Sequence, residues 1–314
     1  MFHHGGAAAP LPVCGAAAPP SVSVTARQTW QTARFAINLG RPQVMGIVNV
    51  TPDSFADAGH HAESGAAIAH CERLVRQGAD ILDIGGESTR PGASDVGAAN
   101  EMARVLAVLR EAVKLGVPVS VDTSEPRVMH EALALGVDIV NDVRALRRPG
   151  ALKLLASHPR AGVCLMHMRG EPGDMQNRAV YDDCVAEVGH FLDQRAREVQ
   201  QAGVARERIV IDPGIGFAKT PEHNIALLVR QHELVALGWP LLVGWSRKGT
   251  LGHLTGRPVH ERLVASVAAA LAAVQRGAAV LRVHDVAATV DALKVWRAAG
   301  LLCPENSNNQ VEAS

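Results

Sequence analysis

Eight short apolar runs recur along the 314-residue chain, and each ends on polar or charged residues. The runs are 43–48, 80–84, 117–121, 137–140, 162–166, 209–211, 241–243 and 279–283. They are continuous and rich in β-branched residues, the pattern of strands buried on both faces. Their endings are Asn49, Thr89 with Arg90, Asp122, Asn141, His167, Asp212, Lys248, and Arg282 with His284. The segments between them read as helices. Residues 101–115 place apolar side chains at helical spacing with charges opposite, and stop at Gly116 with Pro118 just beyond. Residues 186–201 and 261–276 read the same way, and Glu125–Pro126 suits a helix start with Pro in the first turn.

Repeated strand–helix units predict a parallel sheet, and eight of them predict an α/β protein of the TIM (β/α)8 barrel type, a single domain over 35–300. In such a barrel the strand C-termini converge on one face, so the eight polar endings describe one pocket. An open doubly wound sheet is the alternative. It would bind a ligand only at its switch point and leave half of those endings without a shared purpose. Residues 1–34, rich in Ala, Pro and Gly, read as a disordered or irregular N-terminal extension, and 301–314 as a flexible polar tail.

Composition narrows the function. A hydrophobic share of 47% allows a sizeable core. The 31 basic and 31 acidic residues cancel, and no basic stripe suggests a nucleic-acid surface. Five widely spaced cysteines without a CxxC pair argue against a disulfide framework or a zinc site and favour a reducing compartment. Cys164, inside an apolar run, reads as a small buried hydrophobe. The longest apolar stretch, 263–274, is too short to span a bilayer, and the N-terminus lacks the pattern of a secretory signal. The expectation is a cytoplasmic, soluble protein with no membrane partner.

The candidate chemistry lies in the loops that follow the strands. Segment 45–59 (MGIVNVTPDSFADAG) places Asn49 where its amide oxygen could hold a hard cation, although for this segment alone capping roles for Asn49 and Asp53 are the favoured reading. Segment 83–92 (DIGGESTRPG) offers Ser88, Thr89 and Arg90 as donors to phosphate or carboxylate oxygens, on a long loop suited to closing over a site. A surface pair of Arg90 with Glu87 is the plainer reading. Asp122, Asn141 and Asp212 supply acceptors and a mixed amide for a planar polar heterocycle; a carboxylate accepts two adjacent N–H groups, such as a pterin presents. In 244–249 (GWSRKG), Lys248 can donate to a ring atom, and the following helix start can face an anion. In 281–286 (LRVHDV), Arg282 and His284 lie two apart on a strand and share a face, forming an anion clamp. A buried histidine is more often structural, but an inward arginine beside it needs an anion.

MGIVNVTPDSF, GADILDIGGESTRPGA, VSVDTS, IVNDV, MHMRG with MQ following, IDPGIGF, SRK and RVHDV occur in order over residues 43–286, and this set resembles the dihydropteroate synthase family of pterin-binding enzymes. The resemblance implies a (β/α)8 barrel, usually a homodimer. It implies condensation of 6-hydroxymethyl-7,8-dihydropterin pyrophosphate with 4-aminobenzoate and release of pyrophosphate. Carried over residue by residue, Asp122, Asn141, Asp212 and Lys248 would hold the pterin, with Met166 and Phe217 packing on the ring. Asn49 would bind Mg²⁺ with the pyrophosphate, whose oxygens Arg90, Arg282 and His284 would hold. Phe55, Thr89, Pro91, Ser246 and Gly249 would form the aminobenzoate end, on which sulfonamides compete. Asp122, Asp212, Lys248, Arg282 and His284 would carry the chemistry.

Two departures stand out. The family often has Ser where this chain has Gly249, and Phe and Gly where it has Ile215 and Ala218; these bear on pocket shape, not on the pterin edge. Two other functions fit parts of the pattern. A methyltransferase passing a methyl group from methyltetrahydrofolate to a corrinoid protein shares the pterin edge, but has no need of Arg90, Arg282, His284 or the TPDSF loop. A non-enzymatic paralogue would keep the fold and account for Gly249.

Overall fold

The computed structural model describes residues 29–51, 60–87, 96–171 and 173–302. Eight parallel strands form its centre: β3 (Gln43–Asn49), β4 (Ile81–Gly85), β5 (Val119–Asp122), β6 (Ile139–Asp142), β7 (Gly162–Met166), β8 (Ile209–Asp212), β9 (Leu242–Val243) and β10 (Val280–Val283). Their order is β8-β7-β6-β5-β4-β3-β10-β9. A parallel bridge between Ile211 and Leu241 closes the ring, and the Ile211 N–H donates to the Pro240 carbonyl at 3.0 Å. The open-sheet alternative is thereby excluded.

Several strands reach further than their apolar runs. β5 ends on Asp122 and β6 on Asp142, because ladder hydrogen bonds use only backbone and a polar side chain does not end a strand. Their starts move to Val119 and Ile139. Pro118 has no N–H to give, and the buried Asp138 carboxylate accepts from the Val119 N–H at 2.9 Å. The expected helices form as α2 (Ala98–Ala112), α5 (Cys184–Gln201) and α9 (Leu263–Gln275), with Val259–Glu261 a separate 3-10 turn. Glu125 caps α3 (Pro126–Ala134) by accepting from the Arg127 N–H, with Pro126 in its first turn.

Side chains alternate across a strand, so every second residue points into the barrel. Met45, Ile81, Ile139, Cys164, Val210, Leu242 and Val280 make one inward layer at the N-terminal end. The intervening residues, such as Leu82, Val121, Val140 and Ile211, pack outward against Val105, Leu109, Met129 and Leu192 of the helices.

An antiparallel hairpin, β1 (Thr29–Gln31) and β2 (Ala36–Asn38), plugs the N-terminal mouth. Trp30 is fully buried against the inward layer, and its indole N–H donates to the Arg208 carbonyl at 3.0 Å. Gly162 permits this approach: a Cβ there would lie 3.0 Å from Trp30 Nε1. Arg34 ties the hairpin to Asp138 at 2.6 Å. The boundary expected at 35 therefore falls inside an ordered element, and the barrel unit starts by Thr29. Short segments of little periodicity can be ordered by one large aromatic anchor, which a window of periodicity does not register. Residues 1–28 and 303–314 lie outside the described residues.

Candidate functional site

Two residues beyond the inward layer, five strands present their next inward side chain: Asp83 after Ile81, Asn141 after Ile139, Met166 after Cys164, Asp212 after Val210, Arg282 after Val280. Asp122 pairs in register with Asn141, and Met166 with Asp212. Gly85, in register with Asn49 and Asp122, makes room for the latter; a Cβ there would lie 3.2 Å from Asp122 Cβ. The period of two thus gathers the polar strand endings into one layer above an apolar floor.

Arg282 organises this layer. Its Nε donates to Asp83 Oδ2 and its Nη2 to Asp122 Oδ2, each at 2.6 Å. Asn141 Nδ2 donates to the same Asp83 oxygen at 3.1 Å. Asp83 is wholly buried, and its Oδ1 has no partner among the described residues. An inward arginine needs an anion, and here the protein supplies two of its own. Burial works against the Arg282 charge, but Asp83 and Asp122 outweigh it and hold the guanidinium above its ordinary pKa. Burial pushes the Asp122 carboxyl up to about 7; Arg282 opposes the rise, and Asp83, Glu87 and Asp142 add to it. Burial also raises Asp212, opposed by the Gly214 N–H that donates to its Oδ1 at 2.7 Å and by Lys248 and Arg282.

Lys248 sits just before the seven-residue helix α8 (Gly249–Thr255). Its Nζ lies 4.3 Å from the centre of the Phe217 ring. Burial, and then Arg282, bring its pKa down to about 8. Arg247 before it adopts a left-handed φ of 59° and pairs with Asp285 at 2.7 Å, so the turn between β9 and α8 is fastened to the end of β10. Met166, Met168, Met175, Val143 and Ala218 pack into an apolar wall with Phe217 against it. A flat ring could therefore meet an apolar face, two carboxylates, an amide and an ammonium at once.

His284 is not a cation: burial, then Arg282 and Arg247, lower its pKa to about 3, so it is neutral near pH 7. The Ser246 Oγ accepts from the His284 backbone N–H at 3.1 Å and lies 3.0 Å from Nδ1, to which its hydroxyl can donate. Ser246 thus braces His284, and both hydrogen-bonding capacities of its hydroxyl have partners. Gly249 opens α8, and nothing lies within 4 Å of where its Cβ would be. Asn49, half-buried, ends β3 beside Gly85. Phe55, Thr89, Arg90 and Pro91 lie outside the described residues.

Asp83 was missed as a site residue; its signal was a carboxylate interrupting an apolar run at an inward position. Also missed was the buried Arg144, which joins Glu171 at 2.6 Å and Glu87 at 3.4 Å, spanning three loops of the same face. No local pattern marks it. An open groove of about 810 Å³ on the outside of the barrel, lined by Met102, Leu106, Arg127 and His130, contains none of these groups.

The model of the pterin binding enzyme family matches residues 45–284. A dihydropteroate synthase of Neisseria meningitidis serogroup B is 54% identical over 282 residues, covering 88% of this chain and 99% of that protein. A Xanthomonas albilineans dihydropteroate synthase solved with 4-aminobenzoic acid superposes with a TM-score of 0.83 at 50% identity, covering 89% of this chain and all of that one. A Burkholderia cenocepacia dihydropteroate synthase solved with 7,8-dihydropteroate gives a TM-score of 0.79 at 45% identity, covering 87% and 97%. The ordered motifs, the barrel and the inward polar layer agree with these likenesses, and the chain belongs to the pterin-binding enzymes, among the dihydropteroate synthases.

Proposed function

We propose that this chain condenses 6-hydroxymethyl-7,8-dihydropterin pyrophosphate with 4-aminobenzoate to form 7,8-dihydropteroate and release pyrophosphate. The observation that carries the reading is the inward layer of Asp83, Asp122, Asn141, Asp212 and Arg282, with Lys248 over Phe217, at the C-terminal mouth of one barrel.

The pterin edge has adjacent N–H donors, and we assign Asp212 and Asp122 as their acceptors. Asn141 serves the mixed edge, Lys248 donates to a ring atom, and Met166 and Phe217 pack on the face. The bond between the methylene carbon and the pyrophosphate oxygen breaks with its electron pair leaving on oxygen. The ring donates electron density to the carbon, and the buried carboxylates stabilise the positive charge so formed. The arylamine nitrogen then forms the C–N bond and loses a proton. Preorganised groups of this kind are usually the largest source of rate enhancement, ~3–4 kcal/mol for a single donor. Arg282, anchored on Asp83, has further N–H groups for the leaving pyrophosphate, with Arg90 and His284 beside it. Thr89, Pro91, Phe55, Ser246 and the Gly249 backbone are assigned to the aminobenzoate end, where a sulfonamide would compete.

The residues fit a magnesium ion that arrives with its substrate. Mg²⁺ keeps several waters and takes one or two protein oxygens, and Asn49 offers an amide oxygen at a strand end; no group of three His, Cys, Asp or Glu among the described residues could enclose a metal. When bound, the ion would neutralise charge on the leaving pyrophosphate.

No helix among the described residues is long and apolar enough to cross a membrane. Cys71, Cys164 and Cys184 are buried free thiols, which suits a reducing, cytoplasmic setting. Leu263 and Val264 on α9 are 43% and 79% exposed, and we assign this face to a homodimer. The deciding experiment mixes both substrates with Mg²⁺ and measures pyrophosphate. Release that needs 4-aminobenzoate supports the reading; release without it, or none, rejects it.

A further inference from the structure

Lys219 is buried, yet no carboxylate pairs with it among the described residues. Its Nζ meets three polar atoms instead: the Phe217 carbonyl at 2.9 Å, His167 Nδ1 at 3.0 Å and the His167 carbonyl at 3.4 Å. Burial lowers the Lys219 pKa to about 7, with Cys184 and Asp212 opposing the fall; in the ammonium form its three N–H groups match these three acceptors. Acceptance at Nδ1 requires a neutral His167 ring carrying its hydrogen on Nε2. Burial, then Lys219, lower the His167 pKa to about 2, which keeps the ring neutral.

The ammonium joins two backbone segments that flank the ring pocket. His167 follows β7 and stands between Met166 and Met168, both in the apolar wall. Phe217 belongs to the loop after β8, whose start is drawn tightly onto the same residue. A Cβ on Gly214 would lie 2.1 Å from the His167 carbonyl oxygen, and its φ of +69° already favours glycine. At the far end of the loop, Ala218 holds a left-handed φ of 50°, and the Tyr181 hydroxyl donates to its carbonyl at 3.0 Å. A non-glycine residue in that region needs support from its surroundings.

We infer that Lys219 is a positioning residue for the pterin: by joining His167 to Phe217, it sets where Met166 and Phe217 stand relative to each other, and so how the flat ring packs. The inference rests on the pterin reading above. Lys219 acts through Phe217, over which Lys248 sits. The aminobenzoate end is assigned to other loops.

The test is steady-state kinetics of Lys219→Met in the full chain, following pyrophosphate release with each substrate varied in turn and melting temperature recorded alongside. Losing hydrogen bonds to a charged group is expected to raise KM for the dihydropterin pyrophosphate ~10-fold or more, with KM for 4-aminobenzoate within ~2-fold of wild type. Lys219→Gln, which keeps N–H donors on a shorter arm, is expected to show the same split at ~3-fold. Equal changes in both KM values, an unchanged pterin KM, or failure of both variants to fold would show a structural role only and overturn the inference. Wild-type protein that releases no pyrophosphate would instead reject the proposed reaction itself.

Discussion

Arg282 Nη2 lies 2.6 Å from Asp122 Oδ2, so two side chains assigned to different parts of the substrates are bonded to each other. Asp83, 2.6 Å from Nε of the same guanidinium, lets the pair persist in the barrel interior. Asp122 can then exchange this partner for the pterin edge while Arg282 keeps Asp83.

The pair has a measurable consequence for stability. Asp83 is fully buried, and removing its cation leaves an uncompensated charge. Arg282→Met is expected to destabilise the fold by about 3–5 kcal/mol, read from denaturant unfolding. Arg282→Met with Asp83→Asn should recover part of that loss. A double variant no more stable than the single one would mean that the charge on Asp83 is not what Arg282 compensates.

Activity should follow a narrow bell in pH. Asp122, near 7, must be ionised to accept the pterin donors, so activity falls as pH drops below that value. Lys248, near 8, must keep its proton to donate, so activity falls as pH rises above that value. The limbs belong to kcat/KM, which reports the free enzyme. Asp122→Asn should abolish the acid limb and Lys248→Met the alkaline one. Limbs that survive both substitutions would belong to other groups.

Glu101 carries a different pH signature. It is buried on α2, its Oε1 has no partner among the described residues, and burial lifts its pKa to about 7, with Thr123 opposing and Glu87 and Asp122 adding. A folded-state pKa above the unfolded value favours the protonated protein. The stability it contributes is full below the unfolded value and lost as pH rises through about 7. Glu101→Gln should therefore raise the melting temperature at pH ~8, by the equivalent of about 1–3 kcal/mol, and change little at pH ~4. Thermal melts at the two pH values check the sign.

The two ends of the barrel should respond independently. Trp30→Ala removes a fully buried anchor of the N-terminal plug and is expected to cost about 3–5 kcal/mol with both KM values preserved. Gly214→Ala acts at the other mouth, where φ is +69° and a Cβ would collide with the His167 carbonyl, so activity should fall along with stability. Gly249→Ser faces open space and should leave the melt within about 0.5 kcal/mol of wild type. Calorimetry with kinetics on the three proteins separates the effects.

The barrel was legible in the chain because its signal is local. Each strand is a continuous apolar run, each helix repeats at its own period, and a period of two then determines that Asp83, Asn141, Asp212 and Arg282 face inward together. The polar residues that we assign to a pterin edge were legible for the same reason, being strand endings in ordered motifs. Tertiary structure decided what depends on residues far apart in sequence. Arg282 and Asp83 lie 199 positions apart, Trp30 and Arg208 178, and no pattern in a window announces such a bond. Charge states belong to this second class as well. His284 reads as a cation in the chain and is neutral in the fold, because burial and the nearby Arg282 and Arg247 disfavour its charge.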